Sequence, residues 1–453
     1  MKILIAGAGK VGTSLTEQLS LEGYDITIID MKAKRLEMIM ETYDVITMEG
    51  NSAASNVLKE AGVMDADLFI AATSLDEVNL LSCITAHTLN PELHTIARIR
   101  DPEYVEQAYE MRDAFGLKLV VNPERMAASE IARLLKYPGF LQRETFAKAK
   151  VEIVELRLDK KSRLNNVQVK NLQTAVRCQI LICAVLRNGE AIMPDGDFTL
   201  RSGDRIFVTG DSENLHSLLR ALGIITMPVN HVLVAGGSRI SYYLAQELKK
   251  NNISVSIIEN DEKKCETLAK ILPYATIIHG DASDQNVLEE EEIGSYNGFV
   301  SMTGLDEINM VMSLYANMAG VPQIVTKLGR GENIAVLDRL GIGSAVCPKE
   351  LCTMHIVRYV RAMRNQKGAA ITVHKIADGQ VEAMEFTVDE NTAHIGEPLK
   401  DIAIRKNILI ASVSHGSTAE IPHGNTAFHE GDTIIVLASA KSAINTINDI
   451  FEE

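Results

Sequence analysis

Gly7, Gly9 and Gly12 stand in a G-x-G-x-x-G array that follows the apolar run KILIA and opens the amphipathic stretch KVGTSLTEQL. Glycines at this spacing suit one chemistry, the binding of a phosphate-bearing ligand through main-chain N–H groups. Gly7 permits a tight turn, Gly9 lets bare backbone approach a pyrophosphate, and Gly12 lets helix and strand pack closely. The next apolar run, DITIID, ends in Asp30, whose carboxylate is placed to accept both hydroxyls of an adenosine ribose and to repel a 2′-phosphate. NAD is therefore expected over NADP, although Lys32, Lys34 and Arg35 lie nearby. Further groups fall at strand ends, where ligands of open α/β sheets sit: Thr73 and Ser74 close DLFIAATS, and Arg98 in HTIARIR offers a guanidinium to a phosphate. Asp76, Glu77 and Asn79 have the look of a metal cluster, but ahead of VNLLSCITAH they read as a helix cap supplied by Asp76.

The stretch HVLVAGGSRISYYLAQEL (231–248) keeps this frame but places Ser238 and Ser241 where the second and third glycines belong. It is part of a larger repeat. NVLKEAGV (56–63) recurs as NVLEEEEIG (286–294), SLDEVNLLS (74–82) as GLDEINMVM (304–312), and IMPDGDFTLRSGDRIFV (192–208) as EIPHGNTAFHEGDTIIV (420–436). The chain is thus an N module and a C module, written twice.

Each N module alternates short apolar strands with helical periods, which implies crossovers and a parallel sheet. In the first copy strands are expected near Lys2–Ala6, Asp25–Ile29, Val45–Thr47, Leu68–Ala72, Thr95–Ile99 and Lys118–Val121, enough for a doubly wound sheet. The C modules show β-type alternation with turns at Pro194-Asp195-Gly196 and Ser202-Gly203-Asp204. The expected fold is α/β: two doubly wound, Rossmann-like domains, each followed by a small α+β domain. The boundaries expected are 1–123, 140–223, 230–348 and 369–453, with ALGIITMPVNH (221–231) as the central joint.

Composition narrows the function. There are 45 Lys and Arg against 60 Asp and Glu, a net charge of −15, which repels a phosphate backbone and argues against nucleic acid as a partner. The run EEEE (289–292) reads as a solvated helix face. No apolar run approaches the roughly 18 residues of a membrane span, and the N-terminus lacks the regions of a signal peptide, so a soluble, cytosolic protein is expected. Cys83, Cys178, Cys183, Cys265, Cys347 and Cys352 form no C-x-x-C pair and read as core residues. His415, His423 and His429 fit no compact ligand motif, and no metal is expected.

Quoted together, IAGAGKVGTSLTEQL, Asp30, GNSAASNVLKEAGV, ADLFIAATSLDEVNLLSC, ARIRDPEY and VNPERMAASEIARLL closely resemble the N-terminal domain of the potassium-conductance regulators, the RCK or KTN family. The duplicated arrangement is similar to that of Trk-type potassium-uptake regulatory subunits. This resemblance implies a cytoplasmic protein, peripheral on the membrane through a membrane-embedded potassium transporter subunit, assembled as a homotetramer, and responsive to NAD(H) and adenine nucleotides. Carried onto this chain, the family's first nucleotide site falls on Gly7, Ala8, Gly9, Lys10, Val11, Asp30, Thr73, Ser74 and Arg98, all matching the pattern. The second falls on Gly236, Gly237, Ser238, Arg239, Ile240, Glu259, Thr303 and Lys327, where the glycine pattern is broken. NAD(H) is expected at the first site, weaker or different binding at the second, and ATP or ADP at either.

Three function classes compete: a nucleotide-sensing regulator, an NAD-dependent oxidoreductase, and a structural module that keeps only the fold. An oxidoreductase needs acid/base groups beside the nicotinamide. His87 and His94 are isolated, and the repeats leave no separate substrate domain. A non-enzymatic regulator is the reading adopted, with ERMAASEIARLLKY (124–137) as the candidate lever between modules.

Overall fold

The computed structural model describes residues 1–113, 115–136, 142–146, 151–223, 228–363, 370–416, 418–442, 444 and 446–452. Six strands, β1 (Lys2–Ala6), β2 (Asp25–Asp30), β3 (Ile46–Glu49), β4 (Leu68–Ala71), β5 (His94–Arg98) and β6 (Leu117–Val121), lie in the order β3-β2-β1-β4-β5-β6. All are parallel. Helices cover both faces, which is why β1 and β4 read as unbroken apolar runs and are buried almost throughout. The strand order reverses between β1 and β4, so the glycine turn after β1 opens at the switch point of the sheet.

The first C module is an antiparallel sheet of β7 (Gln142–Phe146), β8 (Val151–Arg157), β9 (Leu181–Arg187), β10 (Glu190–Ile192) and β11 (Arg205–Gly210), in the order β10-β9-β11-β8-β7. Short helices at Leu172–Val176 and Ser212–Ala221 cover it. The second repeat rebuilds both layers. Strands β12 (His231–Ala235), β13 (Ser254–Glu259), β14 (Thr276–His279), β15 (Gly298–Ser301), β16 (Gln323–Lys327) and β17 (Ser344–Val346) take the order β14-β13-β12-β15-β16-β17. Strands β18 (Thr372–Ile376), β19 (Val381–Thr387), β20 (Ile408–His415), β21 (Thr418–Glu420) and β22 (Thr433–Ser439) take the order β18-β19-β22-β20-β21. Among its described residues the second C module repeats the 3₁₀ turn of Val169–Asn171 at Leu399–Asp401, and has the 3₁₀ turn Ile447–Ile450 where the first ends the helix Ser212–Ala221.

Expected and observed strands of the first sheet agree to within about two residues at their ends. Residues 224–227 of the expected joint lie outside the described residues, as do residues 140, 369 and 453, three of the expected boundaries. On either side of the joint, Gly223 takes a left-handed φ of 73° after the helix ends, and β12 begins at His231.

The connecting helices depart from a simple bead arrangement. Asn122 starts the helix Pro123–Lys136, its Oδ1 accepting from Arg125 N at 2.8 Å. The helix then buries Ala127, Ala128, Ile131, Ala132, Leu134 and Leu135 not in its own repeat but in the core of the second, against Val232, Tyr243, Leu244 and Val300. Gln323 on β16 donates to Leu134 O at 3.2 Å. The helix Pro348–Met363 returns the exchange, placing Cys352, Ile356, Val357 and Val360 in the first repeat's core with Val11, Leu15 and Leu19. Arg361 near its end pairs with Glu22 at 2.5 Å. The candidate lever is therefore an exchanged core element, and only its last residue, Tyr137, lies outside the described residues.

The C modules meet face to face. Phe146, Ile153, Cys183, Ala184 and Phe207 pack with Ile376, Val381, Ala383, Ala411, Ile435 and Leu437 in one shared core. At its margin Arg205 ion-pairs with Glu155 of its own sheet, with Asp338 of the second N module at 3.3 Å and with Asp378 of the second C module at 2.9 Å. All six cysteines are buried and unpaired.

Leu135 is fully buried, so Leu135→Ala is expected to cost about 2–5 kcal/mol. Because the cavity opens in the other repeat, hydrogen exchange should rise in β12, β15 and β16. Faster exchange confined to β1–β6 would show that the helix serves its own repeat.

Candidate functional site

The turn after β1 is built by steric necessity. Gly7 has a φ of 103°, and a Cβ there would stand 2.9 Å from Ala72 O and Thr73 N on the neighbouring strand end. A Cβ on Gly12 would stand 1.8 Å from Gly7 O, so the helix Lys10–Leu21 can follow the turn this closely only with glycine there. Around Gly9 nothing lies within 4 Å of such a Cβ. Gly9 is also the N-cap, and its helix has no side-chain cap. The first N–H groups of that helix thus have no capping side chain to accept from them, the condition that favours an anion.

Asp30 is held in place beside this turn. Its Oδ2 accepts from Ala8 N at 2.7 Å and its Oδ1 from Lys32 N at 2.9 Å, with Arg35 at 3.6 Å. Each carboxylate oxygen retains a lone pair for a hydroxyl donor. At the end of β5, Arg98 donates to Thr73 O at 3.2 Å. Its Nε is buried with no partner, and no carboxylate among the described residues lies within ion-pair distance. Burial pushes its guanidinium below the ordinary value, partly offset by Glu124. A half-buried cation that forms no ion pair with a described residue, beside an uncapped helix start, fits a phosphate. Gly7, Ala8, Gly9, Lys10, Val11, Gly12, Asp30, Thr73, Ser74 and Arg98 therefore share one strand-end region, with one qualification. The Lys10 ammonium reaches away, to lie beside Gly329 of the second repeat.

The second turn uses the same frame differently. Gly236 keeps a φ of 109°, but its would-be Cβ stands 3.2 Å from Met302 O, less tight than at Gly7. Ser241 replaces Gly12 and turns its hydroxyl onto Gly236 O. Ser238 and Ser241 then close a reciprocal capping box on the helix Arg239–Lys250, Ser238 N donating to Ser241 Oγ at 2.9 Å. This helix start satisfies itself. The acid is longer and its neighbour smaller: Glu259 Oε2 accepts from Gly237 N at 2.8 Å, where a Cβ on Gly237 would stand 3.0 Å from that oxygen. Glu259, Ser238, Lys264, Asp281 and Thr303 line a cavity of about 240 Å³. Lys327 stands where Arg98 does, donating to Thr303 O at 3.1 Å. Burial lowers its ammonium, opposed by Asp306 and assisted by Lys10. Arg239 reaches Asp101 of the first repeat at 3.9 Å. Lys10 and Arg239 thus each cross to the opposite repeat.

The repeated SLDEVN and GLDEIN segments position both strand ends, and here the sequence reading is corrected. Asp76 does not cap its helix, whose N-cap is Leu75. Its Oδ2 instead accepts from Arg100 N at 2.9 Å and Asp101 N at 2.8 Å, fixing the loop after β5. Asn79, not singled out for the nucleotide site, is the clamp. It accepts from Thr73 N at 2.8 Å and Thr73 Oγ1 at 2.7 Å and donates to Thr73 O and Arg98 O. Asp306 and Asn309 repeat both roles. Burial raises the Asp306 carboxyl, but hydrogen bonds from Gly329, Asn333 and Arg330 outweigh it and hold it below its ordinary range. The recurrence of Asn at the same place in both segments was the available signal.

The first site is wired to the exchanged helix. Arg100, on the loop fixed by Asp76, pairs with Glu124 at 2.5 Å. Asn122 donates to Arg100 O at 3.3 Å and to the Tyr243 hydroxyl of the second repeat at 3.0 Å. His94 meets the Tyr359 hydroxyl at 3.0 Å, and His87 packs over Gly116. Neither approaches the turn.

The fold and its two turns define a class: a tandem of Rossmann-type modules, each paired with a small antiparallel module. Residues 3–123 and 232–348 match the TrkA-N domain family, and residues 153–223 and 383–451 match the TrkA-C domain family. The Trk system potassium uptake protein TrkA of Haemophilus influenzae is 31% identical over 464 residues, covering 100% of this chain and 99% of that one. Its Archaeoglobus fulgidus homologue is 32% identical over 452 residues, covering 100% of both. The chain belongs to this TrkA family, as the sequence motifs imply. Among solved structures, the GsuK channel bound to NAD superposes with a TM-score of 0.62 at 17% identity over 97% of this chain and 76% of that one. GsuK bound to ADP does so with a TM-score of 0.53 at 14% identity over 80% and 69%. At these identities the likeness is one of fold. Among the described residues no helix is long and apolar enough to cross a membrane.

Asn79→Ala strands buried donors and acceptors on Thr73 and Arg98 and is expected to cost about 2–4 kcal/mol in urea unfolding. Asn79→Asp, which keeps the acceptor and loses the donor, should fall between. Wild-type stability in Asn79→Ala would remove the clamp.

Proposed function

We propose that this chain is the cytosolic, nucleotide-sensing regulatory subunit of a potassium uptake system. In this reading it sits peripherally on the cytoplasmic face of the membrane, as a homotetramer against a membrane-embedded potassium transporter subunit. The observation that carries the reading is the pairing of an uncapped helix start at Gly9 with the Arg98 guanidinium, whose Nε is buried without a partner, and the anchored carboxylate of Asp30. NAD(H) fits that arrangement: pyrophosphate on the turn, ribose hydroxyls on Asp30, phosphate charge answered by Arg98. The names of the full-length relatives support the potassium system, and the NAD and ADP bound to GsuK support the ligand class.

The chain's own residues supply a route from ligand to conformation. A phosphate at Arg98 acts on the end of β5, whose loop holds Arg100. Arg100 grips Glu124 on the exchanged helix. A nucleotide that binds one arrangement of this linkage better than another shifts the equilibrium between them, which is what gating requires. His87 and His94 stand away from the turn, and we read the protein as a regulator, not an oxidoreductase.

Ser238 and Ser241 make the second turn the poorer pyrophosphate site and leave it open to ATP or ADP, with Arg239 a cation near it. Asp30→Ala is expected to weaken NADH at least tenfold, because each hydrogen bond to a carboxylate contributes roughly 1.5–3 kcal/mol. Calorimetry on that variant isolates the second turn, and NADH affinity there equal to that of the wild-type first turn would refute the asymmetry. For gating, the chain reconstituted with its transporter in liposomes should change potassium flux on switching between NADH, NAD, ATP and ADP, with NADH absorbance constant. Nucleotide-independent flux with steady NADH oxidation would replace the regulator by an enzyme.

A further inference from the structure

The second C module holds a cluster whose histidine spacing in sequence conceals it. His415 ends β20, and His429 and Asp432 belong to the turn that leads into β22, so the antiparallel pairing of these strands brings all three together. One ligand atom from each lies within 4.8 Å of the others. His415 Nδ1 stands 2.7 Å from Asp432 Oδ2, and His429 Nδ1 stands 3.8 Å from the same oxygen. His423 is turned elsewhere, its Nδ1 accepting from Asn425 N.

The first C module explains what this place requires. Asp204 occupies the position of Asp432, at the same point of the same turn: Asp204 accepts from Arg201 N and Asp432 from His429 N, each at 2.7 Å. Both carboxylates are almost wholly buried. In the first module Arg187, ending β9, forks onto Asp204 at 2.8 and 2.7 Å, a permanent cation on a buried anion. In the second module His415 replaces Arg187 and His429 replaces Arg201. The anion and its turn are kept, both guanidinium positions are imidazoles, and a neutral imidazole brings no charge.

We propose that His415, His429 and Asp432 bind a divalent transition metal of the zinc class. Two imidazoles and a carboxylate with an open side are a three-ligand zinc arrangement, and a doubly charged ion answers the buried carboxylate where the arginine is missing. Imidazole donors disfavour magnesium and calcium, which take oxygen. A tetrahedral zinc needs ligand atoms roughly 3.3–3.6 Å apart, so the ion would replace the His415–Asp432 hydrogen bond, the pair opening from 2.7 Å, while the exposed His429 side chain closes its wider gap by rotation. The buried cysteines do not compete for the ion from solution. The ion would pin the end of β20 to the turn before β22, as the Arg187–Asp204 ion pair does in the first module.

The test is a titration of the metal-stripped full chain with Zn²⁺ alone, and with Co²⁺ as an absorbance probe of coordination. One equivalent of Zn²⁺ should bind at micromolar or lower concentration, raise the Tm, and be mirrored by visible Co²⁺ bands of four-coordinate intensity. The double variant His415→Arg/His429→Arg, which installs the first module's residues, should lose the equivalent and keep the metal-free Tm. His429→Ala, altered at an exposed side chain, should weaken Zn²⁺ at least tenfold without unfolding the module. No saturable binding at micromolar Zn²⁺ in the wild type, or an equivalent that persists in His429→Ala, would overturn the site.

Discussion

The exchange of the two connecting helices is the constraint on which the rest of the molecule rests. Leu135 and Ile131 belong to the first repeat in sequence and to the second in packing, while Ile356 and Val360 do the reverse. A parallel sheet must be covered on both faces, and each N module here obtains part of one cover from its counterpart. The sheets cannot separate without each losing a piece of core. Movement between repeats is therefore confined to rotations that keep the helices seated, and the Arg205 ion-pair cluster and the shared C-module core hold the far end.

Within that frame the two turns solve one electrostatic problem in different ways. A helix start carries N–H groups that must be satisfied by its own side chains, by water or by a ligand. At Gly9 the protein leaves them open and sets a desolvated guanidinium beside them. At Ser238 it closes them with two hydroxyls. The clamps are identical in both copies, Asp76 with Asn79 and Asp306 with Asn309, so the difference lies in the turn residues and not in the strand ends that present them. Lys10 and Arg239 reach into the opposite repeats, which puts charge from each turn within range of the other.

The parallel sheets, their crossovers and the duplication were legible because they rest on local signals: β-branched runs, glycine at fixed offsets, and segments such as NVLKEAGV that recur. The first turn was legible for the same reason, since Gly7 and Gly12 stand where the backbone leaves no room for a Cβ and Asp30 is anchored beside them. Three things were not. Asp76 read as a cap because an acid before a helical run usually is one, whereas its true partners, Arg100 and Asp101, lie on a different loop. The helix Pro123–Lys136 gave an amphipathic pattern, but periodicity says that a face is buried and never against what. His415 and His429 are well separated along the chain and are brought together by the pairing of β20 with β22, so a rule based on short spacings passes over them.

Carrying both halves of the exchange on one polypeptide changes the mass action of the fold. In a two-chain version the swapped helices would meet at a rate and with a stability set by protein concentration, whereas here the encounter is intramolecular and the protomer stays whole at any dilution. It also frees the chain from symmetry. At a two-fold interface every substitution appears twice and must suit both sides. In a tandem chain Gly9 can remain bare while Ser238 acquires a hydroxyl, and Arg187 can remain an arginine while His415 does not.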